Sequence, residues 1–249
     1  MTKDFKNYGL GRLQSPFDFR DYNLAKFIPL GMPVTIAKEI AWDFPRKSLN
    51  QGESGHCVGM SIANFGINSP INTMYTEEDG HRFYYMCKEI DGEPLSEEGS
   101  YIRSGAKVLK DIGRIDAYAF APSIEVIKWW LFNRGPVVAG TIWCEEMFTP
   151  NAKNIITIGG RIVGGHAYLI NEWREDNYLG IQNSWGDEWG KNGKAYISAE
   201  DFEKLFMYSG EAMAAVELPH PEEYVSKPKK PCFFIDFIKV LIKDLFTKK

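Results

Sequence analysis

Long apolar runs are missing from this chain. Among its 249 residues no stretch approaches the roughly 18 uninterrupted apolar residues that a spanning helix needs, and the opening MTKDFKNYGLGRLQ has no apolar leader. The expectation is a protein without a signal peptide, in a cytoplasmic or otherwise reducing compartment. Cysteine is scarce as well: Cys57, Cys87, Cys144 and Cys232 are scattered and form no CxxC pair, which excludes a zinc ribbon and a dense disulfide framework. Of the four histidines, His81 and His220 have no cysteine or carboxylate at ligand spacing and read as surface positions, so neither a metal nor a cofactor is expected. A Lys/Arg stripe is also lacking. Residues 221–249 hold seven Lys against four acids, which leaves the rest of a chain of net charge -4 at -7, and nucleic acid is excluded as the main partner. No repeat of 20–50 residues is present. What remains, 44% hydrophobic and 25% charged, is the composition of a folded body of one large domain or two lobes.

The chain divides by character. Residues 1–44, with SPFDFRDY and the Pro-flanked IPLGMP, read as an extended arm. Residues 45–120 read as helical: CVGMSIANFGI has apolar residues at helical spacing after the turn QGESGH, and RFYYMCKEI and YIRSGAKVLKDIG follow, the last ended by Gly113. Residues 121–220 begin with one more helix, SIEVIKWWLFNRG, and then turn β-rich through VVAGTIW, NIITIGGRIVGGHAYLINEW, NYLGIQNSW and KAYIS. The fold class expected is α+β, a helical lobe and a β-rich, barrel-like lobe with a cleft between them. Residues 221–249 form a basic tail in which 232–247 are amphipathic, suited to a membrane surface or a protein partner.

Chemistry concentrates in three segments. Cys57 opens a helix, where free backbone N–H groups and the positive end of the dipole favour a thiolate. Gln51, six residues upstream across a glycine-rich turn, is placed for its amide to meet an oxyanion forming beside the Cys57 N–H. His166 enters a strand from a Gly-Gly turn and Asn183 closes the next strand. An Asn that accepts from one ring nitrogen fixes the tautomer and leaves the other nitrogen for the thiol. Trp185 stands two residues on, placed to shield that hydrogen bond from water.

NQGESGHC, GGHAYLI and NSWGDEWGKNG, in that order, resemble the three signature segments of the papain family of cysteine peptidases, and the resemblance spans residues 45–218. It implies the papain-like fold, with Cys57 as nucleophile, His166 as base and acid, Asn183 as orienter of the histidine and Gln51 as oxyanion donor. It implies further that a peptide or protein substrate lies extended along the cleft. Gly99 and Ser100 of EEGSYIRS would meet its backbone, while Tyr101, Ile102, Gly165 and Ala167 would line a roomy, uncharged pocket for the second residue before the scissile bond, suited to a bulky apolar side chain. The pattern also departs from the family. Ser54 and Glu97 stand where the family has a disulfide, and Val58 where it has Trp. His166 and Asn183 follow Cys57 by 109 and 126 residues, short of the usual range of about 130–150. These features resemble compact bacterial or viral members that lack a long prodomain, so the expectation is a full-length chain whose Cys57 is reactive without prior cleavage. His56 reads as structural. The alternatives are other Cys-His acyl transfer on this fold, such as peptide ligation or amide cleavage, and a peptide-binding homologue without catalysis.

Overall fold

Helix ends are set by local chemistry. In the computed structural model, which describes residues 7–29 and 37–217, helix Glu77–Asp91 starts at a reciprocal cap between Thr76 and Asp79 and stops at Gly92 in the left-handed region. Ser123 and Ser198 cap helices Ile124–Asn133 and Ala199–Ser209 by accepting from the backbone N–H of Val126 and Asp201. In chain order the elements are β1 (Arg12–Leu13), β2 (Tyr22–Asn23), β3 (Ile40–Ala41), α1 (Cys57–Ile67), α2 (Glu77–Asp91), β4 (Ser100–Tyr101), α3 (Ile102–Asp111), β5 (Ala117–Phe120) and α4 (Ile124–Asn133). They continue with β6 (Val137–Cys144), β7 (Ile162–Trp173), β8 (Tyr178–Gln182), β9 (Lys194–Ser198), α5 (Ala199–Ser209) and β10 (Glu211–Val216). All belong to one unit, which ends at Val216. The tail and its amphipathic stretch 232–247, like His220, lie outside the described residues.

The main sheet runs in the order β2-β5-β10-β6-β7-β8-β9, with β3 also on β7; β2 pairs with β5 in parallel and the rest are antiparallel. Helix α1 packs against α2 and α3 and against strands β6 and β7 of this sheet, and every one of its residues is buried. Taking Val58, Met60, Ile62, Phe65 and Ile67 out of water is worth about 1.5–3 kcal/mol each before entropy is charged, which seats the residue at its N-terminus firmly. The expected helices and the strands around His166 are present. Helix α5 and strands β5 and β10 were not legible as elements. The arm also differs from a simple extension: its short strands β1, β2 and β3 pair with β4, β5 and β7.

Candidate active site

The strand register brings the three segments to one place. Opposite β7, His166 pairs with Thr141 and Ala167 with Gly140 of β6, while β8, paired with β7, delivers Asn183 one residue past its end. The imidazole Nε2 lies 2.8 Å from Asn183 Oδ1, and that oxygen also accepts from the Ser184 N–H at 2.8 Å. An amide oxygen only accepts, so Nε2 carries the ring proton and Nδ1 keeps its lone pair. Nδ1 is fully buried and has no hydrogen-bond partner. Trp185 stacks on the imidazole with centroids 4.4 Å apart, and Trp143 meets it edge-on. Burial pushes His166 down to about 4, the hydrogen bond to Asn183 opposing the shift.

Cys57 is the first residue of α1, and the backbone of Ala167, Gly11 and Val58 around it favours the charged form of its thiol. Ala167 directly follows His166, so helix start and strand meet at the thiol. Burial nevertheless pushes the thiol up to about 12. Loss of solvent thus opposes the thiolate that the helix start favours. Gln51 is also buried. Its Oε1 accepts from Ser184 Oγ at 2.7 Å, which turns Nε2 toward the carbonyl oxygens of Ser54 and Gly9, at 2.8 and 3.1 Å.

Gly9 belongs to the arm, and the arm fills the cleft. The Gly9 N–H donates to Gly52 O at 2.9 Å, and the Trp185 indole donates to Gly9 O at 3.2 Å. The Gly11 N–H donates to Gly165 O at 3.0 Å, and Gly11 O accepts from the Ser100 N–H at 2.9 Å. Leu13 pairs with Tyr101, and the Tyr8 ring lies against Trp185. Close approach demands glycine here: a Cβ on Gly9 would sit 1.9 Å from Ser54 O and one on Gly11 2.0 Å from Gly55 O. Residues 8–13 thus contact Gln51, Cys57, Ser100, Tyr101, Gly165 and Trp185, most of the residues assigned to catalysis and substrate. The expectation of a Cys57 reactive in the full-length chain meets a thiol that is fully buried with the arm in place. The residues in the cleft lie upstream of SPFDFRDY, where GLG is the sequence signal of a backbone needing close approach.

One further difference concerns the walls. The pocket expected to be uncharged contains the Arg12 side chain, which meets the carboxylate of Glu211. Ile102, expected to line it, lies beside Arg12: a Cβ on Gly140 would be 2.6 Å from Ile102 Cδ1 and 2.9 Å from Arg12 Nε. The segment of Gly99 and Ser100 is held by a polar bracket. Tyr84 Oη accepts from the Gly99 N–H at 3.0 Å, Lys88 Nζ donates to Gly99 O at 3.2 Å, and Ser100 Oγ donates to Asp91 at 2.7 Å. Lys88 is 1% exposed at its side chain and also meets Glu93. His81 is not isolated: its Nδ1 lies 2.7 Å from Nδ1 of His56, whose ring stacks on Tyr84. Among the described residues no three metal-ligating side chains converge.

Residues 50–214 match the family model of papain family cysteine proteases. Over 80 residues, 31% of this chain, the sequence is 35% identical to cathepsin B-like cysteine proteinase 3 of Ostertagia ostertagi, covering 46% of that protein. It is 32% identical over 80 residues to cathepsin B-like cysteine proteinase 4 of Caenorhabditis elegans, covering 24% of it. The alignments thus span less than half the length of these relatives. In three dimensions the chain is similar to xylellain, a cysteine protease from Xylella fastidiosa, with a TM-score of 0.65 at 18% identity, over 85% of this chain and 97% of that one. It is also similar to procathepsin B S9 from Trypanosoma congolense, with a TM-score of 0.54 at 15% identity, over 69% and 72%. These likenesses establish the papain-like α+β fold.

Proposed function

This chain belongs to the papain family of cysteine proteases, and from that premise we propose that it is a cysteine peptidase, held latent by its own residues 8–13. Once the arm leaves, His166 Nδ1 takes the Cys57 proton and the sulfur attacks a peptide carbonyl. The oxyanion is held by Gln51 Nε2 and the Cys57 N–H. His166 then protonates the leaving amine, a thioester remains, and water activated by the same imidazole releases the acid. Asn183 keeps the imidazole in the required tautomer throughout. The observation that carries this reading is the buried His166 with Nε2 committed to Asn183 and Nδ1 left unpartnered beside the helix that begins with Cys57.

The occupied cleft supports latency, because the Gln51 amide donates to the arm's Gly9 O as well as to Ser54 O, and the arm's Gly11 N–H donates to Gly165 O, next to the histidine. The substrate on this reading is a peptide or protein. A reducing compartment fits Cys57, Cys87 and Cys144 as free thiols. The test is labelling of the full-length chain with an irreversible peptide epoxide, the adduct located by mass spectrometry, beside hydrolysis of a fluorogenic peptide. Cys57→Ser should remove both signals and His166→Ala nearly all turnover. Undiminished turnover by Cys57→Ser would refute the assignment.

A further inference from the structure

One face of α2 carries polar side chains where a packed helix ordinarily carries apolar ones. His81, Tyr84, Tyr85 and Lys88 stand at i, i+3, i+4 and i+7 and so share one side of the helix. The first half of this face meets the loop that carries the nucleophile. Nδ1 of His81 lies 2.7 Å from Nδ1 of His56, the Tyr84 ring stacks on the His56 imidazole with centroids 3.8 Å apart, and the Tyr85 ring meets it edge-on. The second half holds the wall of the cleft, because the Gly99 N–H donates to Tyr84 Oη while Gly99 O accepts from Lys88 Nζ. Both backbone groups of Gly99 are thus taken by α2, at a φ of 101° that glycine adopts without strain.

His56 stands directly before Cys57 at the cap of α1. Its φ of -93° and ψ of 18° lie outside the extended range usual for a cap, and its side chain caps no backbone N–H. The imidazole is committed to α2 instead. Two ring nitrogens this close share one proton, one donating and the other accepting. Burial, and then His81, push His56 down to about 4, which leaves it uncharged at neutral pH. The two helices also touch: a Cβ on Gly59 of α1 would lie 2.5 Å from Tyr84 N, so α2 has no slack against α1 at this point. Apart from Cys57, neither residues 50–57 nor residues 96–101 include a cysteine, and the joint between the two segments is non-covalent.

We propose that this face of α2 is a brace that fixes the substrate wall relative to the nucleophile, with His56, His81 and Tyr84 as positioning residues for peptide binding. The proposal rests on the peptidase reading above and adds to it how the site is held in register. These side chains act through Gly99 on its neighbour Ser100, whose N–H now donates to the arm's Gly11 O. A peptide in the arm's place would take that N–H, and the bond helps only if Ser100 stands at the right distance from Cys57.

The test uses the full-length chain with Gly9→Ala and Gly11→Ala, which keep the arm out of the cleft, and a fluorogenic peptide. On this background His81→Leu and Tyr84→Phe should each raise KM by about fivefold or more, the worth of one hydrogen bond. Over the same variants kcat and the rate of Cys57 alkylation by iodoacetamide should stay within about twofold of the parent. His81→Asn keeps a side-chain N–H at the Nδ1 position and should bring KM back to within about twofold. Unchanged KM in either His81→Leu or Tyr84→Phe, a fall in kcat as large as the rise in KM, or no rescue by asparagine would overturn the proposal. Absence of both hydrolysis and epoxide labelling of Cys57 in the parent would instead overturn the peptidase reading, and this proposal with it.

Discussion

Gly11→Ala is the smallest change that should open the cleft. The added methyl would lie 2.0 Å from the carbonyl oxygen of Gly55 and 2.8 Å from its Cα, both backbone atoms that have no rotamer to yield. The arm has to lift at this residue, and lifting breaks the bonds from the Gly11 N–H to Gly165 O and from the Ser100 N–H to Gly11 O. At about 1 kcal/mol net for each hydrogen bond, the closed state loses about 2 kcal/mol, or roughly 30-fold in the ratio of closed to open. The assay is the second-order rate of Cys57 alkylation by a peptide epoxide, followed by intact mass, with Cys57→Ser as the blank. While most molecules are closed, the rate scales with the open fraction, so the variant should label about 30 times faster than the native chain. A native chain that labels rapidly, with Gly11→Ala within twofold of it, would refute the view that residues 8–13 block the site.

Acid should also favour opening. A histidine pushed down to about 4 by burial resists the proton that a solvated imidazole takes near 6.5, so the closed state loses stability as pH falls from about 6.5 toward 4. The labelling rate of the native chain, divided by that of a chain starting at Pro16, in which residues 8–13 cannot close, should rise between pH 7 and pH 5; a flat ratio would count against it. On the Gly11→Ala background, Gln51→Ala should lower kcat by about 10²–10³, the worth of one oxyanion donor. Asn183→Ala should cost turnover less than His166→Ala, because it orients and does not react, and the reverse order would be evidence against its role. Lys88→Met removes the donor to Gly99 O and loosens the wall; KM for peptide should rise several-fold while alkylation of Cys57 by a small non-peptide reagent changes less than twofold.

Cys57, His166, Asn183 and Gln51 were legible because each sits in a short segment whose local chemistry is self-explanatory: a helix start, a Gly-Gly turn into a strand, a strand end. The helices were legible where caps and apolar spacing agree, and α5 was overlooked although Ser198, Glu200 and Asp201 form an ordinary helix start. The arm was not legible. Two-residue strands such as Arg12–Leu13 exist only through partners far along the chain, here Ser100 and Tyr101, and no periodicity announces them. Glu211 escaped for the same reason, since its meaning depends on Arg12, 199 positions away. The desolvation of Cys57 was not legible, because a helix dipole can be read from sequence, whereas the dryness imposed by a segment 46 positions earlier cannot.

The blocking segment is followed by a clamp. Beyond Leu13, Arg103 grips Asp21 and the Pro16 carbonyl, and Tyr22–Asn23 joins the sheet edge at β5. If that clamp holds while residues 8–13 swing out, the inhibitor stays on a short leash, and its local concentration is on the order of millimolar for tethers of a few residues. On the peptidase reading, saturation by substrate keeps its ordinary hyperbolic form and is displaced to higher concentration by the closed fraction. Dilute peptides would be outcompeted by a plug that never diffuses away, whereas an abundant or locally concentrated peptide chain would hold the cleft open for as long as it lasts. Shut-off then needs no second protein and no synthesis, only depletion of substrate, and the same molecule can pass through the cycle many times unless the arm itself is cut.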